Sequence, residues 1–194
     1  MPRNLTLSGL VLAGGKSRRM GRDKALLELK STTLLNRTKV ILQGSGCQRI
    51  LISSNEIQGA IKDRFEGYGP VAGIEAVMKR LLTTGTKGTL VILPVDMALI
   101  TPASIQRLIA ANDNESLIRF DGHQFPLLLP VNRQTHQKLE SALNNTNVDQ
   151  GMSIKAMCRL FKSSKIPPDE IADTEFFNCN SPEDFDYVQK LLEL

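Results

Sequence analysis

The sequence predicts an α/β fold of three layers, a mostly parallel β-sheet with helices on both faces. Two observations predict it. Compact apolar runs at 7–12, 49–53 and 89–95 have the length and composition of buried strands. Each is followed by a glycine or polar break and then by apolar residues at three- and four-residue steps, the period of a helix. Strand followed by helix, several times over, indicates parallel strands with ligands bound at their C-terminal ends.

The first run (Leu7, Gly9, Leu10, Val11, Leu12) ends at Ala13-Gly14-Gly15, and the nine positions from Lys16 to Lys24 then hold five basic residues, Lys16, Arg18, Arg19, Arg22 and Lys24. Residues 25–29 are apolar around Glu28. Within 32–43, Leu34, Leu35, Ile41 and Leu42 have helical spacing, and Gly44 and Gly46 end that helix. The Arg-Ile-Leu-Ile-Ser run at 49–53 is the second strand and finishes in Ser53-Ser54-Asn55. A weakly apolar stretch with Ile61 and Asp63 precedes Gly67-Tyr68-Gly69-Pro70, and Val71, Ile74, Val77 and Leu81 mark a helix entered through a glycine-proline turn. The strand at 89–95 ends at Asp96. Thr101 and Pro102 then supply the N-cap and first-turn proline of a helix that turns Ile105, Leu108 and Ile109 inward.

In the second half, strands are expected at 116–120 and 124–131, with Asp121-Gly122 as a hairpin turn. A helix follows at 133–143, then a polar loop at 144–151 and a short helix at 153–159. Residues 163–173, with Pro167-Pro168, read as irregular, and 175–178 as an edge strand. Ser181-Pro182-Glu183-Asp184 is a strong helix start, with Phe185, Val188, Leu191 and Leu192 on the buried side.

At 194 residues the chain suits one domain, 1–194, with a substantial core. Apolar residues at 41% and charged residues at 23% argue against disorder. A net charge of +4 suits an anionic small molecule, and without tryptophan and with few aromatics there is no stacking platform for nucleic acid. Cys47, Cys158 and Cys179 are odd in number and far apart, so neither a disulfide framework nor a zinc site is expected. No leader-like N-terminus and no run of about eighteen apolar residues occurs, so a soluble cytoplasmic protein without membrane contact is expected.

The glycines and cations behind the first strand are built to hold a polyphosphate. Backbone N–H groups close on phosphate oxygens where no Cβ intervenes, and the basic side chains supply charge. The segment is not a P-loop, because the opening glycine would have to stand where the chain has Leu10. Asp96, projecting from the rigid end of a buried strand, is the first candidate for a carboxylate that binds Mg²⁺ together with phosphate oxygens.

The run from Leu12 to Lys24 resembles the signature L-A-G-G-x-S-x-R-M-G-x-D-K of the molybdenum cofactor guanylyltransferases and meets every fixed position of it. Further similar segments are Gly69-Pro70-Val71-Ala72-Gly73, against the family's G-P-L-A-G, and Phe176 to Asp184, against F-x-N-x-N-T-P-E-D. The resemblance covers nearly the whole chain and departs from the family at Ala98, where a proline is usual, and at Phe125, where His-Pro is frequent. His123, two residues earlier, reads as a loop residue.

The resemblance implies a Rossmann-like nucleotidyltransferase fold and transfer of GMP from Mg-bound GTP to molybdopterin or Mo-molybdopterin, with pyrophosphate released. It implies Lys24, Arg19 and Asp96 as catalytic residues, Asp96 as the metal ligand, and Leu12, Ala13, Gly14, Gly15, Lys24, Ser53, Asn55, Asp63 and Asp96 as nucleotide-binding residues. Composition alone reads Asp63 as a surface acid between Lys62 and Arg64. Asn178 and Asn180 are implied at the acceptor, although capping of the last helix accounts equally well for Asn180 and Ser181. Molybdopterin-delivering proteins and client molybdoenzymes are the implied protein partners. The rivals are a cytidylyltransferase acting on molybdopterin, a sugar-phosphate nucleotidyltransferase, and a nucleotide-binding module without turnover; cytidylyl relatives tend to read L-A-A-G at Leu12-Ala13-Gly14-Gly15, so Gly14 favours guanine over cytosine.

Overall fold

A computed structural model of the chain describes residues 5–14 and 24–193. Its main sheet has six strands: β1 (Thr6–Leu12), β4 (Arg49–Ser53), β5 (Gly88–Pro94), β6 (Leu117–Phe120), β7 (Leu127–Val131) and β8 (Ser163–Ile166), in the order β4-β1-β5-β7-β6-β8. A separate pair, β2 (Glu28–Leu29) and β3 (Thr32–Thr33), forms a small antiparallel ribbon. β1 is parallel to both β4 and β5, and β6 is parallel to β8. Only β7 is reversed, pairing antiparallel with β5 and β6. The mostly parallel sheet expected from the strand-helix alternation is therefore present, with a hairpin at Asp121-Gly122 supplying the reversed strand.

Because successive side chains of a strand point to opposite faces, β1 and β5 build two cores at once. Val11, Val91 and Leu93 pack on one face with α1 (Leu34–Gly44), α3 (Pro102–Ala110) and α6 (Pro182–Glu193). Leu10, Leu12, Leu90 and Ile92 pack on the other with α2 (Pro70–Thr83), α4 (Arg133–Asn144) and α5 (Ile154–Cys158). All seven strand residues are fully or almost fully buried, which makes β1 and β5 the rigid centre from which the chain's loops project.

The helices begin where their caps stand. The side chains of Thr33, Thr101, Asn132 and Ser153 accept hydrogen bonds from the backbone N–H three residues on. Gly69 opens α2 with a φ of 79°, a left-handed conformation that glycine adopts without steric cost, and Pro70 fills the first helical position.

Three expectations need correction. The helix expected from Thr32 starts at Leu34, because Thr32 and Thr33 pair with β2 before Thr33 caps the helix. The stretch from Ser163, read as irregular, contains β8: an edge strand needs only one shielded face, so Ser164 and Ile166 are half-buried while Ser163 and Lys165 stay exposed, and the apolar signal is weak. The edge strand expected at 175–178 is instead a 3₁₀ turn, Asp173–Phe176, followed by extended chain. There the Glu175 carboxylate accepts from Thr101 N (2.9 Å) and Ser104 Oγ (2.6 Å), fastening the segment across the start of α3. In α6, Val188 is fully buried and Phe185, Leu191 and Leu192 partly so. No described helix is long and apolar enough to cross a membrane.

Candidate active site

The C-terminal end of β1 is flanked on both sides. Leu12 lies opposite Ser53 of β4 and opposite Pro94 of β5. Past the strand, Ala13 N donates to Ser53 O (3.0 Å) and Val95 N donates to Leu12 O (3.1 Å). The backbone of Leu12, Ala13 and Gly14 is thus wedged between two polar groups, one carried by β4 and its following loop, the other by β5. This is the crevice outside the carboxyl ends of parallel strands where open α/β sheets hold ligands.

On the β5 side, Asp96 leaves the buried strand and meets Lys24, which heads a 3₁₀ turn (Lys24–Leu26). Lys24 Nζ lies 3.5 Å from Asp96 Oδ2 and donates to Asn180 Oδ1 at 3.0 Å. Burial raises the Asp96 pKa above its ordinary value, and the Lys24 ammonium opposes that shift without cancelling it. Cys179 N donates to Asp96 O (2.9 Å), which ties the C-terminal segment to the end of β5. Asn180 presents its side chain to Lys24, while the cap of α6 is formed by Ser181 and Asp184: Asp184 N donates to Ser181 Oγ, and Asp184 Oδ2 accepts from Ser181 N and Asn180 N.

On the β4 side, Asp63 is half-buried rather than a surface acid. Asn55 Nδ2 donates to its Oδ2 (3.1 Å), Ser53 Oγ approaches its Oδ1 (3.4 Å), and Asp63 N donates to Asn55 Oδ1 (2.9 Å). Burial raises its pKa, while the hydrogen bonds from Asn55 and Ser53 pull the other way. Helix α2 comes close at Gly73, where any Cβ would collide with Ser53 Oγ and stand 3.3 Å from Asp63 Oδ1. That close approach accounts for the second glycine of Gly69-Pro70-Val71-Ala72-Gly73.

A cavity of about 400 Å³ adjoins Asp96 on its other flank, lined by Met97, His123, Gln124, Phe125, Phe176 and Asn178 among others. The His123 ring stacks on Phe176, with centroids 3.7 Å apart and planes 17° from parallel. Burial, the largest influence, lowers the His123 pKa, which favours the uncharged ring. His123 read as a loop residue, and its place in the cavity depends on a stacking partner 53 positions away that the sequence does not announce. Phe125 lines the cavity just before a cis peptide bond to Pro126.

The structure therefore gathers Leu12, Ala13, Gly14, Ser53, Asn55 and Asp63 at one side of the crevice and Lys24, Asp96, Asn178 and Asn180 at the other. Gly15 and Arg19, with the neighbouring cations Lys16, Arg18 and Arg22, lie outside the described residues. For a magnesium ion the fit is good: Asp96 is a carboxylate at a rigid strand end, 23% exposed to the crevice, and Mg²⁺ asks for one or two carboxylates with the rest from phosphate and water. Among the described residues, the one cluster of three His, Cys, Asp or Glu side chains close enough to share an ion is Glu75, His136 and Glu140, which does not include Asp96.

The chain has relatives among known proteins. Residues 9–160 match the MobA-like NTP transferase domain. The molybdenum cofactor guanylyltransferase of Xanthomonas euvesicatoria pv. vesicatoria is 30% identical over 177 residues, covering 91% of this chain and 90% of that protein. A probable molybdenum cofactor guanylyltransferase of Opitutus terrae is 31% identical over 192 residues, covering 93% of each. Among solved structures, molybdopterin-guanine dinucleotide biosynthesis protein A of Archaeoglobus fulgidus superposes with a TM-score of 0.70 at 20% identity, over 96% of this chain and 98% of that one, a likeness of fold. With residues 9–160 matched by the family's model and with relatives aligned over nine-tenths of its length, this chain belongs to the MobA-like NTP transferases and is a nucleotidyltransferase.

Proposed function

We propose that the protein transfers GMP from Mg-GTP to the terminal phosphate of molybdopterin, with or without bound molybdenum, giving molybdopterin guanine dinucleotide and pyrophosphate. The observation that carries this reading is the meeting of Lys24 and Asp96 at the C-terminal ends of β1 and β5, with Asp63 across the same crevice and an aromatic-lined cavity beside Asp96.

In this reading the chain's own work is alignment and charge. The nucleoside lies against Leu12, Ala13 and Gly14, with the carboxyl of Asp63 turned toward the guanine by Asn55 and Ser53. The triphosphate runs toward Lys24, whose ammonium, with Arg19 and the other cations that follow β1 in the chain, balances the charge that builds on the leaving pyrophosphate, while Gly15 offers its backbone N–H to a phosphate oxygen. Asp96 is the residue that would hold Mg²⁺, which when bound draws charge from the α-phosphate and makes its phosphorus open to attack. The acceptor's heterocycle enters the cavity beside the His123 ring and Phe176, near Asn178 and Asn180, so that its phosphate approaches opposite the leaving group. No covalent enzyme intermediate is required; positioning two anions against each other is the main contribution.

We further propose that the chain acts as one domain in the cytoplasm, where it would draw on GTP, and that it receives molybdopterin from delivering proteins and passes product to client molybdoenzymes. The deciding experiment is calorimetric titration with GTP, CTP, ATP and UTP, each with Mg²⁺. GTP is expected to bind most tightly; preference for CTP, or no preference, removes the guanylyl assignment.

A further inference from the structure

Helix α2 carries a charge in its core face. Glu75 falls one helical turn after Val71 and three residues before Met78, on the side of α2 that meets α4, and it is fully buried. Its Oε1 accepts from Arg64 Nη1 and lies 2.7 Å from Nε2 of the buried His136 on α4, while its Oε2 has no hydrogen-bond partner among the described residues. Arg64 reaches further, with Nη2 3.1 Å from Glu140 Oε1 on α4. Although Glu75, His136 and Glu140 stand close enough to share a metal ion, the Arg64 guanidinium already bonds to both acids and supplies the positive charge.

An acid in an apolar helix face costs stability unless it is paired, and a hydrophobic residue of like volume usually serves as well or better. The gain here is in position. Arg64 is the residue after Asp63, and its two ion pairs fasten that stretch of chain to α2 and α4 together. Asp63 is held a second time by the same helix, through the close approach of Gly73 to Ser53 and to Asp63 Oδ1. Beyond Arg64 the segment is pinned again, by the edge-to-face contact of Phe65 with Tyr68 and by the bond from Met152 N to Tyr68 O (2.8 Å).

We propose that Glu75, supported by His136, is a positioning residue for nucleoside recognition: it anchors Arg64 and thereby holds the backbone of Asp63 in the place from which its carboxyl meets the base. This rests on the reading of Asp63 as the nucleoside contact given above. The anchor acts on the base end of the ligand alone. Its loss weakens binding of a nucleotide and leaves the phosphate end, at Lys24 and Asp96, as it was.

The test is titration of Arg64→Gln with Mg-GTP and with Mg-tripolyphosphate, which has the phosphates and no base, alongside the double variant Glu75→Leu/Arg64→Leu, which removes the buried charge together with its partner. Amide hydrogen exchange at 61–68 is measured on the ligand-free proteins. For both variants GTP affinity is expected to fall about tenfold, tripolyphosphate affinity to stay within about twofold, and exchange at 61–68 to accelerate. Arg64→Lys, which keeps the charge and loses the fork that reaches two acids, should recover part of the affinity. Unchanged exchange at 61–68 and unchanged GTP affinity in the double variant would overturn the anchor, as would equal losses for GTP and tripolyphosphate. Asp63→Asn separates the two readings: if it leaves GTP affinity unaltered while exchange in the Arg64 variants is accelerated, the anchor stands as a structural device and its role in nucleoside recognition is overturned.

Discussion

Lys24 Nζ and Asp96 Oδ2 lie 3.5 Å apart although 72 positions separate them in the chain. Neither side chain is fully shielded, at 13% and 23% exposed, so the pair borders the crevice instead of lying sealed beneath it. A lysine and an aspartate so placed can each serve a different part of a metal-bound triphosphate, the one its phosphate oxygens and the other its cation.

Asp96→Asn is expected to abolish metal-dependent pyrophosphate release, with a loss of more than about a hundredfold in kcat, while raising thermal stability at pH 7. Burial lifts the Asp96 pKa above its ordinary 3.8, so the folded protein keeps a proton that the unfolded chain gives up. The stability gained from that proton is complete below the ordinary value and is lost as the pH rises through the elevated one, which leaves the charged carboxylate a cost at pH 7. Melting curves of parent and variant should therefore differ at pH 7 and converge towards pH 3.8. Near-normal turnover would show that the metal is held elsewhere.

Lys24→Ala is expected to lower kcat by about 10²–10³ through loss of charge stabilisation on the departing pyrophosphate. A steady-state assay of pyrophosphate release reads this directly, and a change confined to the KM for molybdopterin would move Lys24 to the acceptor side.

His123→Ala should raise the KM for molybdopterin about tenfold, in keeping with the roughly 1–3 kcal/mol that an aromatic stack contributes per base. GTP affinity, measured by titration without acceptor, should not move. If GTP binding weakens instead, the cavity belongs to the donor.

Gly73→Ala forces a Cβ into Ser53 Oγ and is expected to destabilise the protein by about 1–3 kcal/mol in urea unfolding and to weaken GTP binding. Ser53→Ala in the same chain makes room, so the double variant should recover most of the stability. Failure to recover would place the clash elsewhere than at Ser53.

Much of this architecture was legible in the sequence because its signals are local. The strand at 49–53 and the helix starts at Pro70, Pro102 and Pro182 coincide with the apolar runs and caps that mark them. β8 was missed because an edge strand of Ser-Ser-Lys-Ile carries half the apolar signal of a central one. At the site, Lys24 and Asp96 followed from the signature and from a strand end. Composition alone makes Asp63 a surface acid, and the structure has it half-buried, because its shielding comes from Asn55, Ser53 and Gly73, none of which is its neighbour in the chain. Glu75 stands out in sequence as an acid among the apolar residues of α2, but its partners Arg64 and His136 come together only in three dimensions.

The side of the crevice proposed for the donor is drawn from the first half of the chain, with Leu12 to Gly14, Lys24, Ser53, Asn55 and Asp63, whereas the stacked His123 and Phe176 and the asparagines at 178 and 180 come from the second. Asp96 borders both. On the proposed reading, substitutions around the ring stack alter which molecule receives the nucleotide and leave the residues set against the triphosphate as they are, so the two halves of the chain can vary separately.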